Sequence, residues 1–132
     1  MNRLLVTALL AVVMITVARA DIIIRNDGGG NVAVYKGRVA AVLASGERVV
    51  IDGLCGSACA LYLSLPPSQI CATSRGRFVF HAATTELGLP HPLTNDAVLR
   101  AYPPRVRNYI LQRGGLWITP ITASARMFVR AC

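Results

Sequence analysis

Three short motifs in the sequence carry residue types that could do chemistry. The segment "IDGLCGSACALYL" (51–63) places Ser57 between two cysteines, where a strand-like run ends and an apolar run begins. The segment "RFVFHAA" (77–83) contains His81, 24 residues after the serine, and "DGGG" (27–30) follows another strand-like run upstream. A hydroxyl nucleophile, an imidazole base and backbone N–H groups near a glycine loop are the components of acyl transfer.

Ser57 has two interpretations. At the first turn of a helix, unpaired N–H groups and the helix dipole favour the negative charge that develops when a hydroxyl attacks a carbonyl. Serine is also a preferred N-cap residue, and on this feature alone the cap is the better-supported interpretation. His81 favours the nucleophile, because a histidine at the carboxyl end of a strand points toward the crevice where α/β sheets place their sites. His91, in the sequence Pro-His-Pro, is a weaker candidate.

The elements that must position these motifs alternate along the chain. Hydrophobic periodicity and glycine or proline stops predict a strand, a glycine loop and a helix, and then the same unit again. This alternation predicts an α/β fold with a largely parallel sheet. The predicted elements are a strand at 21–26, a helix within 31–46 ended by Gly46, a strand at 48–52, a glycine-containing loop at 53–56, a helix at 57–65, strands within 68–73 and 77–83, a surface loop at 84–96, and short helices within 95–102 and 103–115; the tail 116–132 is ambiguous.

The first twenty residues have the layout of a secretory signal. Arg3 precedes an apolar core from Leu4 to Val17, and Ala18-Arg19-Ala20 forms an A-x-A cleavage site, so we expect cleavage after Ala20. An uncleaved membrane anchor is the alternative, although the apolar run is shorter than the ~20 residues that a span needs. Residues 21–132 are enough for a single small domain. The signal segment would engage the membrane only during export.

Charge and cysteine content narrow the class of protein. Without Arg3 and Arg19, twelve basic and six acidic residues remain, a net charge of +6 over residues 21–132. The arginines are scattered singly, which favours solubility over nucleic-acid binding. All four cysteines lie in the exported part, where oxidation predicts two disulfides. A zinc site is the alternative, but the spacing lacks C-x2-C pairs, so neither a metal nor a cofactor is predicted.

In the order of these motifs the sequence resembles the Clp-protease/crotonase superfamily, in particular the proteolytic subunit of the Clp peptidase and its small exported relatives. The resemblance rests on "IIIRNDGGGNVAVY", "VVIDGLCGSACALYL" and "RFVFHAA", and covers roughly residues 22–83. It implies a layered α/β fold with a mostly parallel sheet flanked by helices, here truncated and stapled by disulfides. It also implies that Ser57 attacks, that His81 acts as the base, and that the N–H groups of Gly30 and Ala58 form the oxyanion hole.

The residue that would orient His81 is the main departure from the family. The family's aspartate would fall near Arg130, where this sequence has no acid. Asp96 is the only carboxylate after Glu86, so it is a weak candidate; a backbone carbonyl and no third member at all are the alternatives. Lys36, the sole lysine, does not match the lysine that related exported signal-peptide peptidases pair with serine.

The cysteines are a second departure. Pairing Cys59 with Cys71 would pin the serine segment to the sheet and leave Cys55 to anchor Cys132. A Cys55–Cys59 bridge is less favoured, because it would span the turn that presents Ser57. The sequence itself does not choose among the three pairings.

The sequence therefore predicts a periplasmic or secreted Clp-like serine hydrolase, most simply a peptidase acting on a peptide or protein substrate. The alternative is an inactive Clp-like domain that binds a peptide or protein partner in the same crevice. In a third interpretation Ser57 is purely structural, or a free cysteine is the reactive group. The family resemblance leaves room for a homo-oligomer, although the chain has no counterpart of the helical handle through which Clp subunits stack.

Overall fold

Five strands form one sheet, most of whose pairings are parallel, with helices flanking it. The structure, a computed structural model, describes residues 19–132, so the predicted signal segment lies outside the described residues except for Arg19 and Ala20. Within 19–132, no helix is long and apolar enough to span a membrane. The strands are β1 (Ile22–Asp27), β2 (Val49–Gly56), β3 (Ile70–Ala72), β4 (Arg77–Phe80) and β5 (Ile121–Ser124).

Strand β2 is the centre of the sheet. β1 pairs with β2 in parallel along one edge. Along its other edge β2 pairs in parallel with β3 at Val49–Ile51 and then with β4 at Leu54–Gly56. β5 adds to β4 as an antiparallel strand. The carboxyl ends of β1, β2 and β4 therefore meet at one edge of the sheet, which is where α/β sheets place their ligand sites.

Three α-helices and three 3₁₀ helices connect the strands. The α-helices are α1 (Val32–Ser45), α2 (Pro92–Ala101) and α3 (Pro104–Leu111), and the 3₁₀ helices span Ser57–Ser64, Pro67–Gln69 and Ala125–Met127. Asn31 caps α1 by accepting the Val34 N–H, and Gly46 ends the helix in the left-handed conformation that glycine adopts without penalty. The segment Ser57–Ser64 is called the serine helix below.

The core lies between the sheet and the helices. Phe78 and Phe80 are fully buried, and so are most residues of the serine helix. The Phe80 ring lies 5.7 Å from that of Tyr102 at the end of α2, in an edge-to-face arrangement. Arg77 is exposed and Val79 half-buried, so side chains along β4 alternate between the core and the opposite face of the strand. The strand that leads to His81 is therefore held by its aromatic face.

Most elements predicted from the sequence are confirmed, and the bounds or the type of several others are corrected. The strand–glycine loop–helix unit and its ending at Gly46 are confirmed, as are α2 and α3. The residues 53–56, predicted as a loop, continue β2 because they pair with β4. The predicted helix at 57–65 is a 3₁₀ helix, and the predicted loop 84–96 is helical from Pro92. The ambiguous tail supplies the antiparallel strand β5.

The cysteines form two disulfides, Cys55–Cys59 and Cys71–Cys132. The expected pairing of Cys59 with Cys71 is wrong, because β3 lies beside the start of β2, where Cys71 faces Val50. The serine helix turns back so that the Cα atoms of Cys55 and Cys59 lie 5.3 Å apart. Near the last residue, an isolated backbone β-bridge between Ala72 and Ala131 brings Cys132 to β3.

The two disulfides differ in the length of chain that each encloses. Cys71–Cys132 joins residues 61 apart, whereas Cys55–Cys59 joins residues 4 apart. Loop closure in the unfolded chain gives about 4 kcal/mol of stabilisation for the long loop and about 2 kcal/mol for the short one. The long bridge anchors the C-terminus, and the short one encloses Ser57. Both indicate an oxidising compartment outside the cytosol.

Candidate functional site

A cavity of about 670 Å³ opens at the carboxyl edge of the sheet. Ser57, His81 and Gly30 all line it, so the structure brings together three residues that the sequence singled out. Ala58 borders a smaller recess, and Ser57 and His81 border that recess too. The other residues around the main cavity are Asn31, Val32, Ala33, Lys36, Ala82, Ala83, Thr84, His91, Leu93, Thr94 and Ala97.

Ser57 has a left-handed backbone conformation, with φ at 54°. Among residues 19–132 it is the only non-glycine residue with positive φ. That conformation costs about 1 to 2 kcal/mol for a residue with a Cβ atom. Gly56 occupies the cap position of the serine helix, and no side-chain hydrogen bond caps it. The cap interpretation of Ser57 is therefore wrong. The strained turn between β2 and the helix needs another explanation, and strain of this kind clusters at functional sites.

The glycine loop after β1 packs directly against this turn. A Cβ atom on Gly29 would lie 2.5 Å from the Gly56 carbonyl oxygen, 2.7 Å from the Ser57 Cβ and 2.8 Å from the Ala58 nitrogen. Gly29 also has φ at 85°, a conformation that residues with side chains rarely adopt. Only glycine fits here. The glycine loop therefore shapes the turn that carries Ser57 by direct contact.

Asp27 and Tyr35 hold the glycine loop in place. One Asp27 carboxylate oxygen accepts the Gly29 N–H at 2.9 Å and the Tyr35 hydroxyl at 2.6 Å. Tyr35 is buried on α1, and burial, followed by the hydrogen bond to Asp27, raises the pKa of its hydroxyl. The tyrosine therefore stays a donor to the carboxylate. Sequence reasoning missed this pair, although an aspartate directly before three glycines is a signal for a local Asx-type turn.

Gly30 and Ala58, the two candidate donors of backbone N–H groups, border the site. Ala58 is the second residue of the serine helix, so its N–H has no acceptor within that helix. Gly30 lines the cavity from the loop that packs against the serine turn. Groups of this kind can donate to an oxygen that becomes negative during a reaction.

His81 lies one residue beyond β4, and its ring is oriented by the backbone. Its Nδ1 lies 2.9 Å from the Ala82 carbonyl oxygen. Since a carbonyl oxygen only accepts hydrogen bonds, Nδ1 carries the proton and Nε2 has the free lone pair. The neutral ring is thus in the tautomer that a general base requires. Its partner, the Ala82 carbonyl, corresponds to the backbone carbonyl expected from the sequence as one alternative to an acid.

Asp96 is not brought to His81. Its side chain is 55% exposed and forms an ion pair with Arg100 one turn along α2. It lines neither the main cavity nor the smaller recess. His91, the weaker candidate, caps α2 by accepting the Thr94 N–H at its Nδ1, and it does line the main cavity.

Asn95, next to Asp96, is the residue that sequence reasoning missed. It is buried, and its side-chain amide accepts the Ala83 N–H at 2.7 Å and donates to the Ala83 carbonyl at 3.2 Å. The Ala82 N–H donates to the Trp117 carbonyl at 2.8 Å. These bonds fix the chain on both sides of the carbonyl that orients His81. One sequence signal could have indicated that Asn95 is buried: it lies three residues before Val98, so both residues share one face of the helix.

No cluster of three metal-ligating side chains occurs within residues 19–132. All four cysteines are in disulfides, so none is available as a thiolate.

Comparisons of the chain with protein-family models, with curated proteins and with solved structures give no match.

Substitution of Gly29 tests the contact between the glycine loop and the serine turn. We expect Gly29→Ala to lower the free energy of unfolding by about 2 kcal/mol, since the new methyl group meets backbone atoms and the residue has positive φ. Gly28→Ala is the matched control, because a Cβ atom there has no neighbour within 4 Å. Urea unfolding of the two variants measures the difference. Equal stability of the two would contradict the packing described above.

Adjacent substitutions on α2 separate Asn95 from Asp96. Asn95→Ala leaves the Ala83 N–H and carbonyl without their buried partner, so we expect a loss of about 1 to 3 kcal/mol in unfolding free energy. Asp96→Asn removes only an exposed ion pair with Arg100, which contributes about 0.5 kcal/mol or less. Thermal or urea unfolding of both variants gives the comparison. A larger loss from Asp96→Asn than from Asn95→Ala would refute these assignments.

Proposed function

We propose that this protein is an exported Clp-like serine hydrolase, most simply a peptidase, that works by acyl transfer through Ser57 and His81. The observation that carries the proposal is the strained conformation of Ser57 beside a cavity that His81 also lines. A serine held in this way at a strand-to-helix turn has its hydroxyl at the edge of the sheet, next to unpaired N–H groups.

The Clp/crotonase-like fold is part of the same proposal. Its support is the order of glycine loop, serine and histidine at the ends of β1, β2 and β4, which are neighbouring strands of a mostly parallel sheet. The contact of Gly29 with the serine turn gives that order a structural reason. The two disulfides, together with the signal-like residues 1–20, support a periplasmic or secreted location.

The reaction would proceed in two acyl-transfer steps. The Ser57 Oγ attacks the substrate carbonyl carbon while His81 Nε2 takes the hydroxyl proton, and the carbonyl oxygen becomes negative. The N–H groups of Gly30 and Ala58 donate to that oxygen. The intermediate then collapses, the amine leaves with the proton from His81, and the acyl group stays on Ser57. A water molecule then attacks the acyl carbon while His81 takes its proton; the bond to Ser57 Oγ breaks, His81 returns the proton to that oxygen, and the acid is released.

The Ala82 carbonyl takes the place of the orienting acid. Its hydrogen bond selects the tautomer of His81, but a neutral carbonyl stabilises the imidazolium less than a carboxylate does. Loss of the orienting aspartate costs about 10⁴ in turnover in serine proteases, and residual catalysis survives. We therefore expect a slow hydrolase, with covalent labelling easier to detect than turnover.

An inactive binding domain is the second candidate. The observation that favours it is the position of Asp96, which pairs with Arg100 and leaves His81 without a carboxylate among residues 19–132. In this alternative the same cavity binds a peptide or protein partner, and Ser57 can be replaced without loss of binding.

Labelling with a fluorophosphonate probe tests the proposal. We expect the oxidised protein to be labelled covalently, Ser57→Ala to abolish labelling, and His81→Ala to slow it by at least about a hundredfold, because general-base catalysis is typically worth 10²–10⁴. Asp96→Asn is the matched control, since Asp96 lines neither the main cavity nor the smaller recess. Circular dichroism checks that each variant is folded. A folded wild-type protein that is not labelled would favour the binding domain.

A further inference from the structure

Among the described residues, the main cavity has a single cationic side chain at its wall. Lys36, the only lysine of the chain, lines it together with two histidines, and no aspartate or glutamate is among the residues that line it. Asn31, Thr84 and Thr94 add neutral polar side chains. A cavity with a cation and no carboxylate favours an anionic ligand.

The carboxylates of the described chain have other partners or lie elsewhere. Asp96 pairs with Arg100, and Asp27 accepts from Tyr35 and from the glycine loop. The salt bridges found among residues 19–132 involve Arg25, Arg48, Arg75 and Arg100, and none involves Lys36. The ammonium group at the cavity is therefore not neutralised by a carboxylate of these residues.

His91 adds a hydrogen-bond donor to this wall. Its Nδ1 accepts the Thr94 N–H at 3.3 Å, so in the neutral ring the proton resides on Nε2. Nδ1 therefore caps α2, and the Nε2–H group is the one that can donate to a ligand. A neutral imidazole N–H and an ammonium group together suit an oxygen anion better than a cation or an apolar group.

We propose that the Lys36 and His91 wall binds a carboxylate of the substrate, so that the hydrolase prefers acyl substrates that carry a negative charge near the bond to be cleaved. This inference rests on the proposed function of Ser57 and names the substrate class for it. The cavity volume of about 670 Å³ is within the range of ~300 to 1,000 Å³ typical of ligand sites, so a group beside the reacting carbonyl fits within it. The carboxylate is that of an acidic side chain or of a peptide C-terminus.

Paired phosphonate probes test the inference. The two probes differ only in that one carries a carboxylate where the other carries a carboxamide, and the rate constant for labelling of the oxidised protein is measured with each. We expect the carboxylate probe to react about fivefold faster, as one partly solvated ion pair allows. Lys36→Gln should remove that preference, and Lys36→Arg should retain it.

Arg38→Gln is the matched control. It removes the same charge from α1, but Arg38 lies over the Tyr35 ring and does not line the cavity. Equal labelling by both probes in the wild type, or an equal loss of preference in Arg38→Gln and Lys36→Gln, would overturn the inference while leaving Ser57 as the nucleophile.

Calorimetric binding of short peptides keeps the inference testable if neither probe labels Ser57. Four peptides combine a glutamate or a glutamine with a free or an amidated C-terminus, which distinguishes the two sources of the carboxylate. Binding that depends on either carboxylate and is weakened in Lys36→Gln supports the anionic site, even if the hydrolase proposal has failed. Binding that is indifferent to both carboxylates, or no binding, overturns it.

Discussion

The close approach of the glycine loop to the serine turn is the contact on which the rest of the site depends. Gly29 lies against the Gly56 carbonyl and the Ala58 nitrogen at a distance that leaves no room for a side chain. Asp27 and Tyr35 hold the loop from one side, and the Cys55–Cys59 disulfide encloses the turn from the other. The left-handed conformation of Ser57 persists because these neighbours together stabilise it.

The second constraint acts on the histidine through the backbone. The Ala82 carbonyl orients His81, and Asn95 holds the adjacent residue by two hydrogen bonds. A neutral chain atom thus does the positioning that a carboxylate does in serine proteases, without the same stabilisation of charge. This arrangement is consistent either with a slow enzyme or with a domain that has kept the site for binding.

Local signals predicted much of the fold but little of the support around the site. The strand and helix alternation up to β4 could be predicted from periodicity and glycine stops. The grouping of Gly30 with Ser57 and His81 is an expectation of the family resemblance rather than of these local signals. The disulfide pairing could not, because it depends on β3 lying beside the start of β2 rather than its end. The role of Asn95 could not be predicted either, because helical spacing from Val98 indicates at most that the residue is buried, whereas its hydrogen bonds to Ala83 depend on tertiary contact.

Trapping of an acyl-enzyme is the most direct test of acyl transfer through Ser57. The oxidised protein is mixed with an activated acetate ester, quenched in acid, and mapped by peptide mass spectrometry. The account predicts an acetyl group on Ser57 that is lost on incubation at neutral pH and that forms at least about a hundredfold more slowly in His81→Ala. An acetyl group found only on Lys36, the sole lysine, or none on Ser57, would contradict it.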